Sequence, residues 1–192
     1  MKILKVNSDT IKTTIDYIKK GKVIVCPTDT IYGLVCDATN KKAVKKIFKI
    51  KKRPRKKPVP IFVKNLKWAK NIAKIDKKQE RFLKSAWPGK ATVVLKRKGN
   101  LKIYGVEENK IALRVPKYKF INDLFKTITC PLAETSVNIS NEPPILKFEE
   151  IIKHFKGKTI KPDLIINAGN LKHSKPSTVV DLTGKKPKIL RK

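Results

Sequence analysis

A short apolar run that ends in a polar segment constrains the fold of this chain more than any other feature. Residues 22–26 (Lys-Val-Ile-Val-Cys) are rich in β-branched side chains, which predicts a buried strand. Residues 27–33 (Pro-Thr-Asp-Thr-Ile-Tyr-Gly) follow at once and offer hydroxyls, a carboxylate and a glycine. Because open α/β sheets bind ligands at the ends of their strands, this segment is a candidate binding site. An ordinary polar turn explains the same residues equally well.

Predicted strands and helices alternate along the rest of the chain. Strands are predicted at 2–6, 22–26, 59–63, 91–96, 111–115, 130–133, 163–167, 177–181 and 188–191, and helices near 8–20, 40–50, 65–74, 76–86, 118–128 and 148–155. This alternation predicts an α/β fold, with a mixed sheet because several connections are too short for crossovers. Pro60 favours an edge position or an irregular start for its strand. Residues 1–192 are predicted to form a single domain.

The chain is strongly basic, with a formal net charge of +32. Such a charge predicts attraction to polyanions such as nucleotides or RNA. The lysines are spread over the whole chain, so they support an anionic ligand without identifying a nucleic-acid-binding arm. No apolar run approaches the length of a membrane span or of a signal peptide, which predicts a cytoplasmic protein without a membrane partner.

The cysteines and histidines indicate neither a disulfide framework nor a metal site. Cys26, Cys36 and Cys130 lack C-x-x-C spacing, and Cys26 and Cys130 lie at the ends of apolar runs, which is typical of small buried hydrophobic residues. His154 and His173 do not combine with Cys or Asp at metal-ligand spacing.

Polar side chains cluster at 27–33, 51–57, 134–140 and 174–178, next to predicted strands or helices. These clusters contain hydroxyls, an amide, a carboxylate and several cations, but neither a P-loop nor a G-x-G-x-x-G motif. Lys, Arg, Ser, Thr and Asn side chains suit phosphate binding and the stabilisation of charge on a transferring phosphoryl group. The residues alone therefore predict an anion-binding α/β protein, with a nucleotide as the expected anion.

These clusters and two further segments resemble six motifs of the YrdC-like family, the L-threonylcarbamoyladenylate synthases, in the same order. The similar segments are 27–34 (P-T-[DE]-T-x-Y-G-L), 51–54 (K-x-R-P), 87–95 (W-P-G-x-x-T), 112–116 (R-x-P), 135–140 (T-S-A-N-x-S-G) and 177–181 (S-T-V-x-D). The resemblance implies a twisted mixed parallel and antiparallel sheet with flanking helices and a basic concave site. It covers the chain from about residue 8 to Arg191.

The resemblance also implies a reaction. Members of this family make threonylcarbamoyl-AMP and pyrophosphate from L-threonine, bicarbonate and ATP, so a nucleotidyltransferase is expected, with Mg²⁺ accompanying ATP. Downstream tRNA-modifying proteins then transfer the threonylcarbamoyl group to adenosine 37 of tRNAs that read ANN codons.

Nine residues of this chain take functional roles by the resemblance. The expected catalytic residues are Lys51, Arg53, Ser136 and Asn138. The expected ATP-binding residues are Arg53, Lys57, Asn138 and Arg191, and the expected threonine-binding residues are Thr30, Arg114, Ser136 and Ser177. No residue is assigned to a metal.

Some positions depart from the family pattern. Asn141 stands where the family usually has Gly, so a turn that requires positive φ is predicted to rest on Asn. Val137 replaces a smaller Ala, and Phe62 stands where a His is common and cannot hydrogen-bond threonine. Because the sequence ends near Arg191, the second C-terminal domain of longer relatives is expected to be absent.

Two other functions stay open. The charge also fits a non-catalytic module that binds double-stranded RNA or tRNA. Weak binding of tRNA or other RNA is expected on the same ground. The third possible function is that of a carbamoyl-adenylating domain, like that of hydrogenase-maturation carbamoyltransferases. Those proteins carry additional domains with a zinc-finger region, for which this chain has neither the length nor the cysteines.

Overall fold

The computed structural model describes residues 1–171 and 174–192, so the interpretation of His173 lies outside the described residues. The strands are β1 Lys2–Lys5, β2 Ile24–Cys26, β3 Gly33–Asp37, β4 Ile61–Phe62, β5 Ala73–Lys74, β6 Ala91–Arg97, β7 Lys110–Arg114, β8 Leu132–Ser136, β9 Leu164–Asn167, β10 Thr178–Asp181 and β11 Lys188–Arg191. The helices are α1 Ser8–Lys19, α2 Lys41–Ile50, α3 Leu66–Ile72, α4 Lys77–Ala86, α5 Lys119–Thr127 and α6 Phe148–Phe155. None of these helices has the length and apolar character needed to span a bilayer.

The strands form one mixed sheet in the order β1-β9-β2-β3-β8-β4-β7-β6-β10-β11, with β5 paired to β6. The pairs β1–β9, β2–β9, β4–β7 and β6–β10 are parallel, and the other pairs are antiparallel. The predicted α/β fold with a mixed sheet is therefore confirmed.

Three strands differ from the prediction. The helix predicted at 65–74 ends at Ile72, because Ala73 and Lys74 pair with β6 as strand β5. The sequence pattern predicted no strand at β3, because this short run starts with Gly33 and ends with Asp37, which are both weak strand formers. Its pairing with β2 and β8 on either side stabilises it. Of the two alternatives predicted from Pro60, the edge position does not apply, since β4 lies between β7 and β8, and the strand begins only after Pro60. Pro60 precedes β4, so its missing N–H interrupts no ladder, while its carbonyl accepts a hydrogen bond from Glu134 N (2.9 Å).

The two faces of the sheet bury separate apolar clusters. One cluster includes Val93, Leu113 and Ala133 and continues into helices such as α2 and α4. On the other face, α1 and α5 cover β2, β3, β8 and β9 with side chains such as Ile18 and Leu124. That second cluster contains no residue of β6, β7 or β10, so this part of the face is left for the cavity described below.

Capping residues position the first two helices. Asn7 Oδ1 accepts a hydrogen bond from Thr10 N (2.8 Å) at the start of α1, and Gly21 follows that helix with a φ of +67°. Asn40 Oδ1 accepts from Ala43 N (3.0 Å) at the start of α2. Lys51 is the C-cap of α2, and its basic side chain therefore lies at the partly negative end of the helix.

Candidate active site

A cavity of about 510 Å³ lies over β6, β7 and β10 and is closed on one side by β8 and the end of α2. All nine residues with sequence-predicted roles line it, namely Thr30, Lys51, Arg53, Lys57, Arg114, Ser136, Asn138, Ser177 and Arg191. Six basic and four acidic side chains contribute to its lining. The structure thus brings together residues that are up to 161 positions apart in the sequence (191 − 30).

Strand alternation explains the floor of the cavity. Successive side chains of a strand point to opposite faces, so residues two apart share a face. Ala112 and Arg114 of β7 face the cavity, while Leu113 between them packs in the core. Val94 pairs with Ala112 across β6 and β7, and Asp181 of β10 pairs with Val94, so one row of side chains crosses three strands.

The ammonium of Lys51 is buried and fully hydrogen-bonded, with the residue only 1% exposed. Its Nζ donates to the backbone oxygen of Ser136 (2.6 Å) and to both the backbone oxygen (2.9 Å) and Oδ1 (2.7 Å) of Asn138. Burial lowers the pKa of Lys51 to about 8, with the nearby Arg53 acting in the same direction. Since an ammonium has three donors and all three are engaged, Lys51 holds the 136–138 segment and adds charge to the cavity.

Ser136 and Asn138 extend this network, whereas Arg53 stands apart from it. Ser136 Oγ donates to Asn138 Oδ1 (2.6 Å), and Asn138 Nδ2 donates to the backbone oxygen of Glu142. Arg53 instead donates through Nε to the backbone oxygen of Lys57 (2.9 Å) and through Nη2 to that of Pro58 (2.6 Å). The side chain of Arg53 therefore holds the backbone of the basic loop, residues 51–58, in place.

Asn141 adopts a φ of +75°, which confirms that a positive-φ position rests on Asn in this chain. Asn is the residue that tolerates this region best after Gly, because its short side chain can hydrogen-bond locally. Here Asn141 Oδ1 accepts a hydrogen bond from Lys57 Nζ (3.1 Å), which connects the basic loop to the segment after Asn138. A glycine at this position has no side chain with which to make that connection.

Arg114 and Asp29 form a buried ion pair at the inner end of the cavity. Their side chains are 2% and 8% exposed, and Arg114 Nη2 lies 2.7 Å from Asp29 Oδ1. Arg114 also donates through Nε to the backbone oxygen of Gly89 (3.0 Å) and through Nη1 to Thr30 Oγ1 (3.3 Å). The charge of Arg114 is thus already compensated by the protein. Its guanidinium carbon lies 5.6 Å from the centroid of the fully buried Phe62 ring, which packs in the core and does not line the cavity.

The polar segment 27–33 serves both as a turn and as part of the cavity wall. Thr28 Oγ1 accepts from Thr30 N (3.1 Å) and Ile31 N (3.3 Å) and donates to Ile31 O (2.7 Å), as in an ordinary turn. Thr30 and Ile31 line the cavity. The role of Asp29 as the partner of Arg114 was missed from the sequence, because their pairing joins residues 85 positions apart.

Ser177 and Arg191 contact each other at the far wall of the cavity. The Ser177 and Thr92 hydroxyls are hydrogen-bonded (Oγ to Oγ1, 2.8 Å). Arg191 donates to the backbone oxygen of Ser177 through Nε (3.1 Å) and Nη2 (2.8 Å). Burial lowers the pKa of Arg191, which stays far above neutral pH, so this wall keeps a permanent cation.

Glu134 is a lining residue that sequence reasoning missed. It lies on β8, is 8% exposed and contacts the cavity. Burial raises the pKa of Glu134, and the nearby Arg114 and Lys51 oppose this shift. Its position directly after the apolar run at 130–133, within the polar cluster 134–140, was the available signal.

In the part of the chain that the structure describes, the side chains that commonly bind metal ions are not clustered. Among residues 1–171 and 174–192, no three His, Cys, Asp or Glu side chains are grouped closely enough to hold an ion. The carboxylates at the cavity rim include Asp181, which is held by Thr183 N (2.7 Å) and by Lys110 Nζ (3.3 Å).

Comparison with known proteins places the chain in a family. The Sua5/YciO/YrdC family model, described as telomere recombination, matches residues 16–192. The chain belongs to the Sua5/YciO/YrdC family. A putative threonylcarbamoyl-AMP synthase of Methanocaldococcus jannaschii is 32% identical over 186 residues, covering 95% of this chain and 86% of that relative.

Two Pyrococcus abyssi comparisons extend this result. The threonylcarbamoyl-AMP synthase of that organism is 32% identical over 183 residues, covering 94% of this chain and 53% of the relative. The crystal structure of P. abyssi Sua5 complexed with L-threonine superposes with a TM-score of 0.89 at 31% identity, covering 100% of this chain and 57% of that one. The chain therefore spans about half the length of these Sua5 proteins.

Proposed function

We propose that this protein is an L-threonylcarbamoyladenylate synthase, a nucleotidyltransferase that makes threonylcarbamoyl-AMP and pyrophosphate from L-threonine, bicarbonate and ATP. The observation that carries the proposal is that nine side chains, seven of them from five separate motifs, line one cavity. The names of the M. jannaschii and P. abyssi relatives, and the L-threonine bound to P. abyssi Sua5, support the same activity.

The lining suits a reaction between anions. Threonine and bicarbonate form a carbamate, whose carboxylate attacks the α-phosphorus of ATP while the bond to the bridging oxygen breaks and pyrophosphate leaves. Such a reaction needs positioning and charge stabilisation more than it needs a base at phosphorus. The cations and amide of Arg53, Lys57, Asn138 and Arg191 are proposed to bind ATP, and Thr30, Arg114, Ser136 and Ser177 to bind threonine.

Lys51 has a positioning role in this proposal. Its three hydrogen bonds hold the backbone and side chain that present Ser136 and Asn138 to the cavity. Mg²⁺ would enter with the ATP phosphates, as is usual for this ion, and would neutralise phosphate charge. No step is assigned to a metal held by the protein.

The proposed product is an activated intermediate for other proteins. Downstream tRNA-modifying proteins would transfer its threonylcarbamoyl group to adenosine 37 of tRNAs that read ANN codons. We place this activity in the cytoplasm and in one domain formed by residues 1–192.

Release of pyrophosphate by the purified protein tests the proposal. The assay contains ATP and Mg²⁺, and L-threonine or bicarbonate is omitted in turn. We expect release that requires both, with formation of threonylcarbamoyl-AMP confirmed by mass spectrometry. Release that needs neither would indicate plain ATP cleavage, and no release from a folded sample would contradict the proposal.

RNA binding is a second candidate function, favoured by a lysine-lined groove away from the cavity. This groove, of about 560 Å³, is bounded by α2 and residues 159–163 and contains Lys42, Lys45, Lys46, Lys49 and Lys161. Asp163 is the carboxylate among its lining residues, and it already pairs with Lys46 (2.8 Å). Such a groove suits a phosphate backbone.

Fluorescence anisotropy with labelled tRNA and double-stranded RNA tests this second candidate. If RNA binding is specific, affinity for one of them should persist at about 150 mM salt. The matched comparison is Lys45→Glu/Lys49→Glu against Lys12→Glu/Lys19→Glu on α1, which changes the net charge equally. Equal losses of affinity in both variants would show diffuse charge attraction only.

A further inference from the structure

Glu134 presents to the cavity a carboxylate that lies near several cations but in direct contact with none of them. A Cβ added to Gly33 would lie 2.8 Å from Glu134 Oε1, so the missing side chain of Gly33 leaves the space that this carboxylate occupies. In the part of the chain that the structure describes, no hydrogen bond or ion pair joins the carboxylate to another side chain. Because a buried charge without a partner is costly, the site is suited to a proton or to a cationic ligand group.

The cations around Glu134 are directed at other acceptors. Lys51 donates to the 136–138 segment, and Arg114 is paired with a different carboxylate. Arg53 and Arg191 both donate to backbone oxygens. These four side chains give the cavity a positive potential that attracts anionic substrates, but none of them occupies the position next to the Glu134 carboxylate.

We propose that Glu134 binds the α-ammonium group of the amino-acid substrate and accepts the proton which that nitrogen must lose before it reacts with bicarbonate. This inference rests on the proposed synthase function. Among the three substrates, only the amino acid carries a cation. Of the four acidic residues that line the cavity, Glu134 is the buried one, and the nearby buried Asp29 is paired with Arg114.

The proton-transfer step is balanced. The ammonium gives one proton to the Glu134 carboxylate, leaving a neutral amine and a carboxylic acid. The amine nitrogen then forms a bond to the carbon of bicarbonate, and hydroxide leaves with a second amine proton as water. The product is the carbamate, which carries one negative charge as bicarbonate did, and Glu134 returns its proton to solvent.

The surroundings of Glu134 favour such a proton acceptor. Burial raises the pKa of Glu134 and Asp29 adds to this effect, while Arg114, Lys51 and Arg191 oppose it. Cys26 of β2 lies near Glu134 and keeps its proton, because burial raises the pKa of that thiol well above neutral pH. A raised pKa makes the carboxylate a stronger base. Below that pKa Glu134 is protonated, so it can neither pair with the ammonium nor accept its proton.

Binding of L-threonine and of (R)-3-hydroxybutyrate, which lacks the amino group, tests the ammonium contact in the wild-type protein. By calorimetry at pH 8, we expect threonine to bind about tenfold more tightly or better, as one charge-assisted hydrogen bond allows. The preference should shrink as the pH falls through the raised pKa of Glu134. Equal affinities at pH 8, or a preference that does not change with pH, would overturn the inference.

Glu134→Gln tests the proton transfer and keeps the shape of the side chain. We expect it to lower kcat/KM for threonine by about 100-fold or more, to remove the acidic limb of the pH profile and to leave KM for ATP within about twofold. Glu150→Gln, on the exposed face of α6, is the matched control and should behave as the wild type.

The outcomes separate the two proposals. An active wild type with an equally active Glu134→Gln variant and an unchanged pH profile would overturn the inference and leave the synthase function standing. An inactive wild type would contradict the synthase function. If Glu134→Gln does not fold, the wild-type comparison of the two ligands still decides the role of Glu134.

Discussion

Replacing Lys51 by Met is expected to lower threonine- and bicarbonate-dependent pyrophosphate release by at least about 100-fold. The change removes a buried charge and leaves three oxygens of Ser136 and Asn138 without their donor. The segment that presents these two side chains then loses its fixed position. Initial rates at saturating ATP measure the effect, and a thermal unfolding curve shows whether the variant is folded.

Lys12→Met provides the control for this change, because Lys12 is an exposed residue of α1 outside the cavity. It removes the same charge from the protein and should keep the wild-type rate. A folded Lys51→Met variant with more than half of the wild-type activity would contradict the assigned role of Lys51.

The same residue predicts the alkaline limb of the wild-type pH profile. Burial lowers the pKa of Lys51 from 10.5 to about 8, so its ammonium loses a proton as the pH rises through that value. The neutral amine has one donor fewer and no charge, and activity is therefore expected to fall above about pH 8. A rate that stays constant up to pH 10 would show that the ammonium is not required.

Replacing Asp29 by Ala is expected to destabilise the protein by about 3–5 kcal/mol, the usual cost of leaving a buried ion unpaired. Arg114 would then keep its charge next to the apolar ring of Phe62 and lose its shortest contact. Urea unfolding followed by circular dichroism measures the change. The double variant Asp29→Leu/Arg114→Met removes both charges and should recover a large part of the lost stability.

Asp123→Ala is the matched control for the buried pair. Asp123 pairs with Lys119 and Lys126, whose side chains are 88% and 74% exposed, so solvent screens these contacts and the unfolding midpoint should hardly move. If Asp29→Ala changes stability as little as Asp123→Ala does, the Arg114–Asp29 pair contributes little to the fold.

Local patterns in the sequence were sufficient for most elements and for the residues that line the cavity. Apolar runs predicted most of the strands, and helix periodicity predicted the helices, because these signals depend on residues a few positions apart. Seven of the nine predicted site residues belong to short motifs, and each motif follows or precedes a predictable element. The turn at Asn141 was predictable for the same reason.

Other features depended on which strands become neighbours. The strand β3 forms because β2 and β8 flank it, and β4 is internal because it pairs with β7 and β8. Asp29 compensates Arg114, and Glu134 lies beside Gly33, only once distant segments meet. The sequence by itself determined most of the secondary structure and the chemical inventory of the cavity, since both follow from local backbone and side-chain preferences. Only the tertiary structure decided which charges are paired and which carboxylate stays free, because those energies depend on burial and on distances across the sheet.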